Sequence, residues 1–510
     1  MLALTARCEP GNFRQHAVSK RGFITAAKPV YECCRRDCAL GTEMAMRKAP
    51  LTLCVAGGGF TGAAIAIACL QRITEPFRLV MIEHSPQIGR GVAYGSHHPL
   101  HLLSVRARDL SIRASQPGDF LNWAFHQLDQ GENQAGLHEA LAHTFLPRQL
   151  FGEYVRQRLY ESVAQRPDVV FSVVNDTAKS CVTESGRYRI GLERNAPVIA
   201  DVLFLATAYG LSSASAGGAL KPFESVAPDR LAGARQIALI GSGLTMVDVL
   251  LAARRDGFHG TALVISRRGQ LPRPHAPKGV VPKEIGLPRS KRVSLLAAAI
   301  RISCEMAEES GTPWQAVING LRPSLPDIWQ ALPTDEQARF LRHLRPFWDS
   351  HRYRLPMEVH GRLTAEFAEG RAVLLHGSVQ AVTRDAGGFK LALLSRGARE
   401  PSLVEADLAF DCTGFKPDLD QPLIASLFKR DLARPDPHRL GLAVERSGQV
   451  IGPGGASSSL FAIGPLCQGT LWEITAVPEI AAQADRAART LAALREGEAE
   501  TAQIRAAACL

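Results

Sequence analysis

The sequence predicts the α/β class, with two Rossmann-like dinucleotide-binding domains, the first discontinuous, the second inserted into it and itself carrying a helical insertion. Three observations predict this. A buried strand, a glycine turn and a helix occur at Leu51–Leu70, and the same pattern returns at Arg235–Asp248. Each of these units is followed by a second apolar strand, as in a parallel βαβ unit. At 510 residues and 46% hydrophobic content, the chain exceeds one ordinary domain and is apolar enough for a sizeable core.

The first unit carries the spacing Gly57-x-Gly59-x-x-Gly62. In a dinucleotide site these glycines serve a tight turn, backbone approach to a pyrophosphate and close helix–strand packing, with the diphosphate on the free N–H groups of the helix N-terminus. The next strand, Phe77–Ile82, ends at Glu83, 21 residues after Gly62, where a carboxylate would accept from ribose hydroxyls. Gly89, Gly91 and Gly95 then surround Tyr94, reading either as backbone passing close to a cofactor or as a plain loop. Asp119–Leu128 and Tyr154–Leu159 have helical spacing. Strands are expected at Val169–Val174, Tyr188–Leu192 and Ala200–Ala206, the last turning through Ala206-Thr-Ala-Tyr-Gly210.

The second unit has Gly241 and Gly243, with Met246 in place of a third glycine, so looser helix–strand packing is expected there. Its following strand, Ala262–Ile265, ends in Ser266-Arg267-Arg268-Gly269. A hydroxyl and two guanidiniums stand where an NAD site would place an acid, which suits the 2′-phosphate of NADP; a solvated basic turn is the other reading.

Residues 276–362 are helical in pattern, with a helix over Ser294–Met306 and a capping box at Thr334-Asp-Glu-Gln337. That box leads into an apolar face of Phe340, Leu341, Leu344, Phe347 and Trp348. The insertion, ending in His351-Arg-Tyr-Arg354, reads as a substrate lid or as a packing surface, its arginines as readers of an anion or as a solvated face. Strands resume at Val373–His376, Phe389–Leu394 and Ala406–Phe415. The C-terminal part holds Leu460–Leu466 with Gly464, then Trp472 and Thr475, and a helix from Ala476 to Leu494. Thr475 can cap that helix, whose N-terminus would stabilise negative charge on a reduced flavin.

These boundaries divide the chain into an FAD-binding domain (50–210 and 415–496), an NAD(P)-binding domain (211–275 and 363–414), the insertion, and a frayed tail at 497–510. Residues 1–49, with four of the eleven cysteines (Cys8, Cys33, Cys34, Cys38), read as disordered, as a mis-assigned start preceding Met44 or Met46, or as a targeting peptide. The adjacent cysteines there are not a usual zinc spacing, no metal is expected, and the other seven look like core residues of a reducing compartment.

The net charge of +10 does not point to nucleic acid. Residues 1–49 carry nine Lys/Arg against four Asp/Glu and residues 276–362 carry thirteen against nine, leaving about +1 elsewhere. No run of 18 apolar residues occurs, so a soluble, cytoplasmic protein with no membrane partner is expected. The absence of any Cys-x-x-C removes a dithiol redox centre.

On Gly57–Gly62, Glu83, Gly89–Gly95, Gly241–Asp248, Ser266–Gly269, His351–Arg354 and Trp472–Glu479, the chain resembles the bacterial FAD-NAD(P)-binding family that includes flavin-dependent urate hydroxylases and aspartate N-monooxygenases. The resemblance spans about residues 50–495. It implies FAD at Gly57, Gly59, Gly62 and Glu83, and NAD(P)H at Gly241 and Gly243; the residues Arg267 and Arg268 themselves lead to the expectation that NADPH is preferred over NADH. Gly91, Tyr94, Gly464, Trp472 and Thr475 complete the expected cofactor set. The expected activity is an FAD/NAD(P)H-dependent oxidoreductase, specifically a monooxygenase hydroxylating a small polar or anionic substrate. The alternatives are a reductase feeding a quinone or protein acceptor, and a non-enzymatic redox sensor. The cofactor carries the chemistry, so no side chain is singled out as acid or base. No oligomeric state is implied.

Overall fold

Strands and helices build two six-stranded sheets, each with a parallel core, and a small antiparallel sheet. The computed structural model describes residues 50–96, 98–128, 134–209, 218–385, 387–414 and 418–508. The readings made above for 1–49, for Gly210 and for Phe415 lie outside the described residues.

The strands are β1 (Leu51–Ala56), β2 (Phe77–Glu83), β3 (Val170–Asn175), β4 (Ala178–Glu184), β5 (Arg187–Leu192), β6 (Val198–Ala200), β7 (Val202–Leu205), β8 (Gln236–Ile240), β9 (Thr261–Ser266), β10 (Ala372–Asp385), β11 (Gly388–Ser395), β12 (Ser402–Ala406), β13 (Leu408–Asp411), β14 (Gln449–Gly452) and β15 (Gly455–Ala462). The first sheet has the order β14-β15-β7-β1-β2-β3, parallel from β15 to β3, with β14 antiparallel at the edge. Its centre, β1, is buried along its whole length, as expected of a strand covered on both faces. The second sheet has the order β12-β11-β10-β9-β8-β13, parallel from β10 to β13 and antiparallel beyond. β4, β5 and β6 form a small antiparallel meander.

The two large sheets repeat one geometry. Leu51 to Ala56 pair with Phe77 to Ile82, and Gln236 to Ile240 pair with Thr261 to Ile265, in both cases parallel and flanking a helix. On the other side, β7 closes onto β1 and β13 onto β8. Those helices are Phe60–Arg72 and Leu244–Arg255.

The long helix Val477–Ala508 lies against Phe60–Arg72 through Ile480, Ala484, Ala487, Ala488 and Leu491, and Asp485 accepts from Arg72 Nε at 2.7 Å. It continues through the segment expected to fray, a run rich in Ala and Glu that favours helix. The insertion folds as Val293–Glu309, Gln315–Leu321, Leu325–Ala331, Thr334–Arg339, Arg345–Arg352 and Met357–Ala368. The capping box does not form. Thr334 already lies inside its helix, Pro333 stands at the N-cap, and Gln337 instead donates to the Trp329 carbonyl at 2.7 Å. A π-turn over Phe340–Leu344 shifts the helical phase, so Phe340, Leu341, Leu344 and Trp348 face inward while Phe347 is exposed. Among the described residues no helix is long and apolar enough to cross a membrane.

Candidate functional site

Each parallel sheet ends at a glycine turn. Gly57 has φ +109° and Gly241 has φ +113°, backbone that side chains rarely adopt. A Cβ on Gly57 would lie 2.4 Å from the Ala206 carbonyl oxygen, and one on Gly241 would lie 2.4 Å from that of Cys412. The first glycine of each turn is therefore required by the neighbouring strand of the protein itself. A Cβ on Gly62 would sit 1.9 Å from the Gly57 oxygen, which packs the helix onto the turn. Met246 occupies the corresponding position in the second unit and is fully buried.

The middle glycines differ. At Gly59 a Cβ would come within 3.3 Å of Gly91 Cα, whereas at Gly243 it would meet nothing within 4 Å. Neither helix has a side-chain N-cap or an acidic residue in its first turn, so no side chain of the chain neutralises either helix N-terminus, as suits an anion there. Thr207 Oγ1, just beyond β7, is buried without a hydrogen-bond partner, a second polar group at the first turn that a bound molecule could satisfy. These features fit a dinucleotide.

Glu83 is buried at the end of β2. Its Oε2 accepts from the Gly58 N–H at 2.6 Å and its Oε1 from the Ser85 N–H at 2.9 Å. In the second unit Ser242 donates to Ser266 Oγ at 2.8 Å, and Gly269 N–H donates to the same oxygen at 3.1 Å. Arg267 and Arg268 follow, both exposed, and neither forms an ion pair with another described residue. They come directly after Ser266, whose hydroxyl accepts from Ser242 in the second glycine turn.

The glycines at 89–95 are packed closely against the chain itself. A Cβ on Gly89 would press on the Arg156 backbone at 3.0 Å and one on Gly95 on the Gly91 oxygen at 2.7 Å. Gly91 is held against Gly59, and Tyr94 packs on Phe60 and Phe151 with ring centroids 6.0 and 4.8 Å away. Gly464 sits over Thr61 of the first helix, and its N–H donates to Gln483 Oε1 at 2.7 Å.

Trp472 stacks on Trp329 at 4.8 Å, meets Phe340 edge-on and carries Arg345 5.5 Å from its ring centre. Its place is in the seam between the insertion and the 464–479 segment. Glu473 follows at φ +74°, a strained position for a non-glycine residue, and is buried. Its carboxylate accepts from Trp348 Nε1 at 2.7 Å and pairs with Arg352 at 2.8 Å. Glu479, in the first turn of the long helix, pairs with Arg322 at 2.5 Å. Thr475 Oγ1 lies 3.3 Å from the Tyr353 hydroxyl. Burial, then the Glu473 charge, push the Tyr353 hydroxyl well above its ordinary range.

Residues from distant segments join here that sequence spacing did not connect. Arg148 donates to Asp248 Oδ2 at 2.6 Å, tying the Arg148–Ala164 helix to Leu244–Arg255; burial raises the Asp248 carboxyl to about 6 against the opposing pull of Arg148. Arg106 donates to the Ala276 carbonyl at 2.6 Å, and the His275 ring lies 2.9 Å from the Ser104 carbonyl. Neither Arg106 nor Arg148 lies in the insertion, and no local pattern in the sequence marked this grouping.

Residues 54–210 match the FAD-NAD(P)-binding family. No curated protein matches the chain. Among solved structures, the reduced form of the ornithine hydroxylase PvdA from Pseudomonas aeruginosa is 14% identical, covering 87% of this chain and 99% of that one, with a TM-score of 0.58. The ornithine N-hydroxylase KtzI from Kutzneria sp. 744, described as KtzI-FADred-NADP+-L-orn, is 13% identical over 88% of this chain and 99% of its own, also at 0.58. The bacillithiol disulfide reductase Bdr (YpdA) from Bacillus cereus is 14% identical over 87% and 99%, at 0.50. At these identities the likeness is one of fold: a two-dinucleotide-domain architecture.

Proposed function

We propose that this chain is an FAD-dependent, NADPH-using monooxygenase that hydroxylates a small polar or anionic substrate in the cytoplasm. The observation that carries the reading is the pair of glycine turns, each on its own parallel sheet and each leading into an uncapped, acid-free helix N-terminus. The fold it shares with the two ornithine hydroxylases supports the same reading.

On this proposal residues 50–210 and 415–496 form the FAD domain, and 211–275 with 363–414 form the NADPH domain. Gly57, Gly59, Gly62, Glu83 and Thr207 hold FAD, with Gly91, Gly464 and Thr475 shaping its bed. Gly241, Gly243, Arg267 and Arg268 hold NADPH. Bound FAD would supply the redox chemistry, accepting a hydride from NADPH and activating O₂. The chain's own residues orient the two nucleotides and keep water out. Trp329 stacked on Trp472, with the Arg352–Glu473 pair beside them, seals the insertion against the 464–479 segment.

The occurrence of the same fold in a disulfide reductase favours a second reading, in which electrons leave to another acceptor. The deciding experiment supplies ¹⁸O₂ and NADPH to the yellow protein with candidate substrates and weighs the product. Label in the product is expected. Unlabelled product, or NADPH turnover that runs equally well under argon with a quinone, would replace the monooxygenase by a reductase.

A further inference from the structure

The insertion returns to the second sheet through a short extended segment. Leu355 N–H donates to the Arg273 carbonyl at 2.9 Å and His275 N–H to the Leu355 carbonyl at 2.8 Å, which fixes the backbone beside Arg354. Arg354 is 4% exposed. Its Nη2 donates to Asn319 Oδ1 at 2.5 Å and its guanidinium carbon lies 5.8 Å from the Trp314 ring centre. Its Nε and Nη1 are buried and have no hydrogen-bond partner.

The electrostatics around Arg354 are one-sided. After burial, the influences on it are Arg352, Arg322 and Arg106, which together push its pKa down to about 9 and leave it cationic at neutral pH. Arg352 and Arg322 have their own carboxylates in Glu473 and Glu479. Arg106 has its Nη2 on the Ala276 carbonyl, while its Nε is buried and unpartnered. His275 feels the same surplus: burial, then Arg354, Arg106 and Arg352 among its neighbours, hold its ring neutral with a pKa near 3. A buried guanidinium with open N–H groups and no counter-ion destabilises the folded chain, and such an arrangement persists where a ligand supplies the missing charge.

We propose that Arg354 binds the carboxylate of a small organic anion, the group by which the substrate is held. This rests on the monooxygenase reading and names the chemical group recognised. The free N–H groups donate charge-assisted hydrogen bonds to carboxylate oxygens, and Asn319 and Trp314 hold the guanidinium plane in place to receive them. Arg354 is a binding residue in this scheme and takes no part in proton transfer.

The test uses the full-length FAD-loaded protein. Isothermal titration with a panel of mono- and dicarboxylates, represented by acetate and succinate, is run at constant ionic strength beside inorganic phosphate, on wild type, Arg354→Met and Arg354→Lys. At least one carboxylate should bind wild type, weaken about ten- to a hundredfold in Arg354→Met and recover partly in Arg354→Lys, with phosphate much the weaker ligand. Without ligand, Arg354→Met should melt at the wild-type temperature or above, because an uncompensated charge has gone. A clear drop in melting temperature would make the guanidinium structural and overturn the proposal. So would carboxylate affinity equal in wild type and Arg354→Met, binding of no carboxylate, or loss of FAD from Arg354→Met with carboxylate binding intact. Colourless wild-type protein that still bound carboxylate through Arg354 would count against the flavin reading alone.

Discussion

Gly243→Ala separates what a glycine does for the chain from what it does for a ligand. Gly243 has φ −85° and ψ −168°, ordinary extended backbone for alanine, and a Cβ there would meet no atom within 4 Å. The substitution should leave the fold intact and stabilise it slightly, by about 0.4–1 kcal/mol, through a less free unfolded chain. The same change at Gly241 would force a Cβ to 2.4 Å from the Cys412 oxygen at φ +113° and damage the fold. If the NADPH pyrophosphate occupies the open space, the new methyl pushes it off the helix N–H groups. Losing one charge-assisted contact costs about 1.5–3 kcal/mol, or roughly ten- to 150-fold in Kd. Anaerobic titration of flavin reduction by NADPH, with a thermal melt of the apo-nucleotide form beside it, gives both quantities. An unchanged melt with unchanged NADPH affinity would show that no phosphate approaches Gly243.

Two further predictions follow from the second sheet. Arg267→Ala combined with Arg268→Ala should raise KM for NADPH by one to two powers of ten and leave that for NADH nearly unchanged, since both side chains are exposed and unpaired directly after Ser266; equal losses for both nucleotides, measured by steady-state kinetics, would place their action elsewhere. Asp248 has its folded-state pKa raised to about 6 by burial, above its ordinary 3.8, so it favours the folded state most below about pH 4 and that contribution is lost as the pH rises through 6. The loss is on the order of 3 kcal/mol, about 3 °C in Tm for a chain of this size. Asp248→Asn lacks this titration, so its Tm relative to wild type should climb by that amount between pH 4 and 7 in a melt series; a constant difference would mean that Asp248 keeps an ordinary pKa through its Arg148 partner.

What the sequence determined by itself was local. A positive-φ glycine after a buried strand, a helix with no acid in its first turn and an apolar strand ending in Glu83 or Ser266 are each written within a few consecutive residues. The two nucleotide turns were therefore legible, as was the helical character of 276–362. Chain geometry alone decided why the first glycine is needed: the carbonyls of Ala206 and Cys412, about 150 and 170 residues downstream, close over Gly57 and Gly241. Trp472 and Tyr94 belong to the expected cofactor set, but that Trp472 packs on Trp329 and Tyr94 on Phe151 is written in no local pattern and was decided by the fold. The arginines of the insertion show the limit most plainly. In sequence Arg352 and Arg354 resemble a solvated helix face, but the fold buries both, gives one Glu473 and leaves the other with Asn319 and no carboxylate. Whether a charge is screened by water, paired or left open depends on which distant segments enclose it, and no local pattern encodes that.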